Sequence, residues 1–246
     1  MKTLIAVFTF LAFTALSSAQ TAEQIIQEAI EAVGGKAWDK VNSIQYKATL
    51  EQGGMKLPID IVYMRDGRTY TKFTLQGMEI VQMAFDGTTL WNTNFMTQKA
   101  EKMDSEQTTN YIRSIGEFPG ALFTYKTLGY TVELVGEEEA DGVMCHKIKM
   151  TKKPELVEGV EMPNIEYYFI DKDTKALIQV LSEIQSGEMK GKMSEEKFSD
   201  YQEVNGVYVA FSTSLGVQGM GSQTLTFTEI IINPTIDDKA FVFPVQ

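Results

Sequence analysis

Tight-turn dipeptides set between runs that alternate in polarity leave this chain few folds to choose from. At the centre stands Phe85-Asp86-Gly87-Thr88-Thr89-Leu90-Trp91, an Asp-Gly turn with an extended run on each side. Asp-Gly accepts the left-handed angles that a two-residue turn needs, so the chain returns antiparallel through Leu90 and Trp91. In the preceding run, strict alternation places Val81, Met83 and Phe85 on one face and Met78, Ile80 and Ala84 on the other. Neither face is strongly polar, so the strand needs cover on both sides.

The same unit recurs in both directions. Residues 43–52 and 55–65 read as a hairpin joined at Gly53-Gly54, with Met55, Leu57, Ile59, Ile61 and Tyr63 sharing a face. Asp66-Gly67 leads into 69–75, and Gln76-Gly77 into 78–85. Strands are predicted again over 131–135, 143–150, 165–170, 176–184, 188–198, 207–215 and 223–232, with residues 152–163 as a polar loop. Short hairpins in succession make an antiparallel meander, in which each strand pairs with the one before it.

Three stretches depart from this period. Thr21-Ala22-Glu23-Gln24 is a capping box, followed by Ile25, Ile26, Ala29, Ile30 and Val33 at helical spacing and stopped by Gly34-Gly35. Residues 36–41 read as a short turn with Trp38 inward. Residues 103–120 interrupt the strands: Asp104 or Ser105 caps a helix with a thin apolar stripe, Tyr111, Ile112 and Ile115, before Gly116 and Pro119 and a short apolar piece at 121–125. So weakly anchored a helix, between two halves of a sheet, suits a lid. Phe241, Val242 and Phe243 are expected to tuck the tail against the fold.

Residues 1–19 have the pattern of an export signal: Lys2, an apolar run from Leu4 to Leu16, and Ser17-Ser18-Ala19. The run is too short to span a bilayer, and residues 20–246 are read as one soluble domain. The formal net charge of −11 argues against nucleic acid and anionic membrane surfaces, since phosphate binding draws on Lys and Arg. A single cysteine allows no internal disulfide.

Catalytic constellations are lacking. Cys145 and His146 are the only residues of their types, and as strand neighbours they point to opposite faces. Asp171-Lys172-Asp173 reads as a hairpin turn, because Lys175 and Ala176 stand where a calcium loop wants an oxygen ligand and a glycine. Residues 137–139, all glutamate, read as a solvated run. No metal or cofactor is expected, and nothing points to a carboxylate-pair hydrolase. What stands out is thirteen methionines, several on strands, whose flexible thioethers suit a surface that adapts to flexible ligands.

Asp86-Gly87-Thr88-Thr89-Leu90-Trp91 resembles the Asp-Gly-Lys-Thr-Leu-Trp hairpin of the LolA-like periplasmic lipoprotein carriers and their outer-membrane lipoprotein-sorting relatives. Tyr167-Tyr168-Phe169-Ile170-Asp171, Phe198-Ser199-Asp200-Tyr201 with Val204-Asn205-Gly206, and Ile236-Asp237-Asp238 with Phe241 and Pro244 agree with it. The resemblance implies an α+β fold that is mainly β, a curved antiparallel sheet forming a half-open barrel under lid helices. It implies a monomeric, non-enzymatic periplasmic carrier of lipoprotein acyl chains or another lipid, served by an inner-membrane release complex and an outer-membrane acceptor. A sensor or envelope-assembly partner of the same fold is the alternative. At about 0.8 kcal/mol per methylene, one long acyl chain resists water by roughly 10 kcal/mol, so such a carrier needs apolar area rather than a catalytic group. Candidate cavity residues are Met55, Leu57, Ile59, Ile61, Tyr63, Tyr70, Phe73, Val81, Met83, Phe85 and Trp91. Arg65 matches the family's lid-latch arginine, with Asp66 in place of the proline that usually follows; the alternative is a plain turn cation.

Overall fold

The computed structural model describes residues 20–52 and 55–244, with the side chains of 51, 52 and 55 outside that description. The expected export signal, the Gly53-Gly54 turn and the side chain of Met55 therefore lie outside the described residues. Thirteen strands form one antiparallel sheet. Its first half is β1 (Ser43–Gln52), β2 (Met55–Met64), β3 (Thr69–Leu75), β4 (Met78–Phe85), β5 (Leu90–Thr93) and β6 (Ala100–Lys102). The second half is β7 (Thr131–Ala140), β8 (Val143–Thr151), β11 (Ile165–Asp171), β12 (Leu177–Glu183), β13 (Met193–Val204), β14 (Val207–Val217) and β15 (Ser222–Ile232). The 152–163 stretch is not a plain loop. It folds into a separate hairpin, β9 (Glu155–Val157) with β10 (Val160–Met162).

Each half is a meander, and the halves join where β1 pairs with β15. The edges, β6 and β7, do not pair, so the sheet stays open, the half-open barrel expected from the sequence. The chain passes from one edge to the other through α2 (Ser105–Ser114) and α3 (Ala121–Leu128), while α1 (Ala22–Ala32) and a 3-10 turn (Gly35–Lys40) precede β1. The Thr21–Gln24 capping box forms as the sequence implies; of the two candidate caps for the later helix, Asp104 is the one used, and Gln107 completes a second box there. The apolar piece at 121–125 proves to be a helix that runs on to Leu128.

Register assigns the two faces, because directly opposed residues of an antiparallel pair point the same way. Ile44, Tyr46, Ala48 and Leu50 face Tyr63, Ile61, Ile59 and Leu57 across β1 and β2, and Phe73 lies opposite Ile59. This inner face meets the helices. α1 and α3 bury Ile25, Ile26, Ala29, Leu122 and Tyr125 against Ile148, Met150, Tyr168 and Ile170. Trp38, with Phe123 edge-on at 5.5 Å, packs among Ile44, Val207, Val209 and Phe227.

The outer face has its own cover. Beyond β15 the tail folds over Val62, Tyr70, Val81, Ala84 and Trp91, burying Phe241 to 1% exposure. The Trp91 indole N–H donates to the Phe241 carbonyl at 2.8 Å, and Tyr70 packs on the Phe241 ring at 5.5 Å. Strand β4 is thus covered on both sides, as its composition requires. The strict alternation read along it, however, does not hold. Met83 pairs with Thr71 and Val81 with Lys72, which leaves Gln82 as an extra bulged residue and turns Val81 to the outer face. Replacing Phe241 with Ala should lower the unfolding free energy by about 3–5 kcal/mol, read from the urea midpoint. A loss below about 1 kcal/mol would mean the tail only decorates the surface.

Candidate functional site

The helices cover the inner face unevenly. Over β7, β8 and β11 it is filled by α1 and α3; over β1 to β4 and β13 to β15 it is left with hollows. One, of about 400 Å³, lies between Tyr46, Tyr63, Arg65, Glu196 and Phe198 of the sheet and the 111–119 stretch above it. A second, of about 300 Å³, continues from it, sharing Tyr46, Tyr63, Glu196 and Phe198 and adding Ile61, Leu225 and Phe227. A third, of about 420 Å³, lies on the other flank of α2, between Met83, Leu90, Met103, Tyr130 and Lys152. The first and third share Tyr111, Ser114 and Glu117, so one face of α2 runs along both. Such volumes fall within the range of small-molecule sites.

α2 roofs the first and third of these hollows without being packed into the core; the second is lined by strands alone. None of its residues is buried. Polar contacts and one ring hold it: the Tyr111 hydroxyl donates to the Gly67 carbonyl at 2.6 Å, and its ring lies 4.9 Å from Phe85. Gly67 has φ +92°, and a Cβ there would come within 2.9 Å of Ile115, so the β2–β3 turn must be glycine for the helix end to sit on it. On the far side, Asn110 exchanges two hydrogen bonds with the backbone of Leu156, and Glu106 accepts from the N–H groups of Glu158 and Gly159. The small hairpin is therefore a bracket for α2.

Two polar features lie beneath the helices. Lys152, its side chain largely buried, reaches Glu117 and Glu166 at 3.0 Å each. Tyr130 donates to Glu117 at 2.8 Å, and Tyr168 donates to Glu166. Burial disfavours the lysine's charge, but the two carboxylates outweigh it and hold its pKa above the usual lysine value. This network ties the end of the roof to the sheet. The second feature is Glu196, which points into the hollows while its neighbour Glu195 turns outward to Gln179. Burial, reinforced by the charge of Glu166, pushes the Glu196 carboxyl above its ordinary value. The phenols of Tyr46, Tyr63 and Tyr201 are raised as well, chiefly by burial.

The expected site residues divide between the faces. Leu57, Ile59, Ile61, Tyr63, Phe73, Met83 and Phe85 share the inner face; Ile61, Tyr63 and Met83 line the hollows, and Phe85 supports α2. Tyr70, Val81 and Trp91 lie on the outer face beneath the tail, walled off from the hollows by the sheet itself. Of the methionines, Met83 and Met103 line a hollow, Met64 packs on the outer face under the tail, and Met78, Met96, Met144 and Met220 are exposed. The lining is more aromatic than thioether. Tyr46, Phe198 and Glu196 were not singled out from sequence, although alternation along β1 and β13 carries that signal. Arg65 sits at the rim. It donates to the carbonyls of Trp38 at 2.8 Å and Val41 at 2.6 Å, and its guanidinium lies 5.2 Å from the Phe118 ring. Cys145 and His146 point to opposite faces, and burial pushes the Cys145 thiol up to about 11.

Removing the Tyr111 side chain with Tyr111→Ala should speed amide exchange across residues 105–114 while leaving β13 and β14 protected; unchanged exchange in α2 would show that its anchorage lies elsewhere. Glu196 also sets a pH dependence. Its folded pKa is raised, so between about 4.5 and that value the folded chain keeps a proton the unfolded chain has lost, and stability falls as pH rises through the window. Glu196→Gln should therefore be more stable than the parent at neutral pH, with the gap in urea midpoint closing below about pH 4. A gap that does not change with pH would contradict this.

No family model and no curated protein matches the sequence. Solved structures do match it in shape. A LolA superfamily protein from Nitrosomonas europaea aligns over 91% of this chain and 98% of its own, at TM-score 0.56 and 13% identity. A DUF1329 family protein from Desulfovibrio piger covers 89% and 95%, at TM-score 0.53 and 16% identity. An outer membrane lipoprotein-sorting protein domain from Vibrio parahaemolyticus covers 89% and 95%, at TM-score 0.52 and 13% identity. These identities speak to shape alone, and over nearly its whole described length the chain has the LolA-like fold.

Proposed function

We propose that this protein is a lipid carrier of the cell envelope, which holds an acyl chain in the hollows between the inner face and α2 and moves it through water toward the outer membrane. The observation that carries this reading is an aromatic and apolar inner face left uncovered by core packing and, over the first and third hollows, roofed by a helix with no buried residue. A roof held mainly by polar contacts can swing away while uncovering little beyond the Phe85 ring. The LolA-like fold and the lipoprotein-sorting description of the Vibrio domain support lipoprotein acyl chains as cargo. Among the described residues no helix is long and apolar enough to cross a membrane, which suits a protein that shuttles.

On this reading Leu57, Ile59, Ile61, Tyr63, Phe73, Met83 and Phe85 form the lipid side of the sheet, joined by Tyr46, Phe198, Leu225 and Phe227. Arg65 is the latch. It is anchored on the carbonyls of Trp38 and Val41 and, among the described residues, reaches the roof through the Phe118 ring, a contact worth about 0.5–2 kcal/mol that cargo can break. Residues 1–19 act as the export signal, the carrier works as a periplasmic monomer, and a release complex and an outer-membrane acceptor bracket the journey.

Protein purified without detergent should carry co-purifying acyl-chain species in native mass spectrometry. After delipidation it should bind an uncharged fluorescent polyene alcohol, and Tyr63→Asp should weaken that binding at least about tenfold, since a charge set against a hydrocarbon chain is costly. Protein free of any acylated species and indifferent to the probe would contradict the reading.

A further inference from the structure

The cargo's polar end is also legible in the hollow. Glu196 is the charged group of the floor that the protein leaves without a partner. Among the described residues no hydrogen bond or ion pair reaches its carboxylate, whereas every other charged group around it is engaged. Glu166 and Glu117 are held by Lys152, Arg65 by the carbonyls of Trp38 and Val41, and Arg68 by Asp66 and Asp238. A carboxylate among apolar walls costs free energy until something pairs it.

The walls are of a particular kind. Tyr46, Tyr63, Phe198 and Tyr201 surround Glu196 in the same hollow. Tyr46 and Tyr63 stand nearly perpendicular, 6.1 Å apart at 77°, and Phe227 lies 4.9 Å from Tyr46, so ring edges and faces are fixed against one another. Tyr201 is pinned by its hydroxyl donating to the Leu177 carbonyl at 2.8 Å. Aromatic rings around one carboxylate are the arrangement that takes an ammonium group: the rings present their negative faces and the carboxylate supplies the countercharge. The apolar lining beyond, Ile61, Leu225 and Phe227, takes a hydrocarbon chain attached to it.

We infer that the hollow selects amphiphiles whose polar end is a cationic amine, seated on Glu196 between Tyr46, Tyr63 and Tyr201, with the chain along the inner face. This rests on the carrier reading and sharpens its cargo. An anionic head is disfavoured at the same place, because Glu196 and the net negative Lys152–Glu117–Glu166 cluster would both repel it.

The test compares decylamine, decanol and decanoate by titration calorimetry at neutral pH on the delipidated full chain, for the parent, Glu196→Gln and Glu195→Gln. Decylamine should bind at least about tenfold tighter than decanol or decanoate. Glu196→Gln should remove that advantage while leaving decanol unchanged, and Glu195→Gln, whose carboxylate lies on the outer face, should behave as the parent. The Tyr63→Leu variant gives an independent reading, lowering decylamine affinity more than decanol affinity. Equal affinity for the three ligands, or an amine preference that survives Glu196→Gln, overturns the inference and leaves the carrier reading standing. Failure of all three to bind overturns both.

Discussion

The inner face of the sheet is wider than the helices that must cover it, and the rest of the molecule follows from that mismatch. Thirteen strands joined through β1 and β15 present aromatic and aliphatic side chains along one face. Burying such surface stabilises by roughly 25 cal/mol per Å². Among the described residues, three short α-helices and the 3-10 turn at 35–40 lie on that side to do it. Where α1 and α3 lie, the face is filled and the core is solid. Where α2 lies, hollows remain.

The two kinds of cover differ in their physics. α1 contributes an apolar stripe at helical spacing and is fixed by packing, so moving it would expose Ile25 and Ile26. α2 contributes no buried residue and is fixed by the Tyr111 hydroxyl, the Asn110 amide, the Glu106 carboxylate and the small hairpin. Hydrogen bonds of this kind are worth about 1 kcal/mol each because water replaces them when they open. On the carrier reading proposed above, a roof anchored in this way is one that cargo displaces, whereas a roof anchored by packing is not. The Lys152 network beneath it gives the closed position a defined register.

Much of the fold was legible because its signals are local. The capping box at Thr21, a cap at Asp104 or Ser105, the tight turns, and the two-residue period each fix a few neighbouring residues, and the described residues keep them. What failed depended on pairing partners far away in sequence. The bulge at Gln82 is a property of how β4 meets β3, so Val81 read as inner and is outer. Tyr70 and Trp91 looked like cavity aromatics because the outer face also carries apolar cover, supplied by a tail more than a hundred residues later in the chain. Glu196 was legible in principle, since alternation separates it from Glu195, but nothing in sequence says that its face is the enclosed one. The 152–163 stretch reads as loop because each strand of its hairpin has three residues, too few for a period to show.

The central claim, that a hydrocarbon chain lies along the inner face beneath α2, can be observed directly through the methionine methyls. Met83 and Met103 line a hollow beside α2, while Met144 and Met220 are half-exposed elsewhere on the surface. With ¹³C-methyl methionine and a chain-spin-labelled fatty amine added to delipidated protein, the account predicts selective broadening of the Met83 and Met103 resonances. Broadening of Met144 and Met220 to the same degree, or of none of the four, would contradict it.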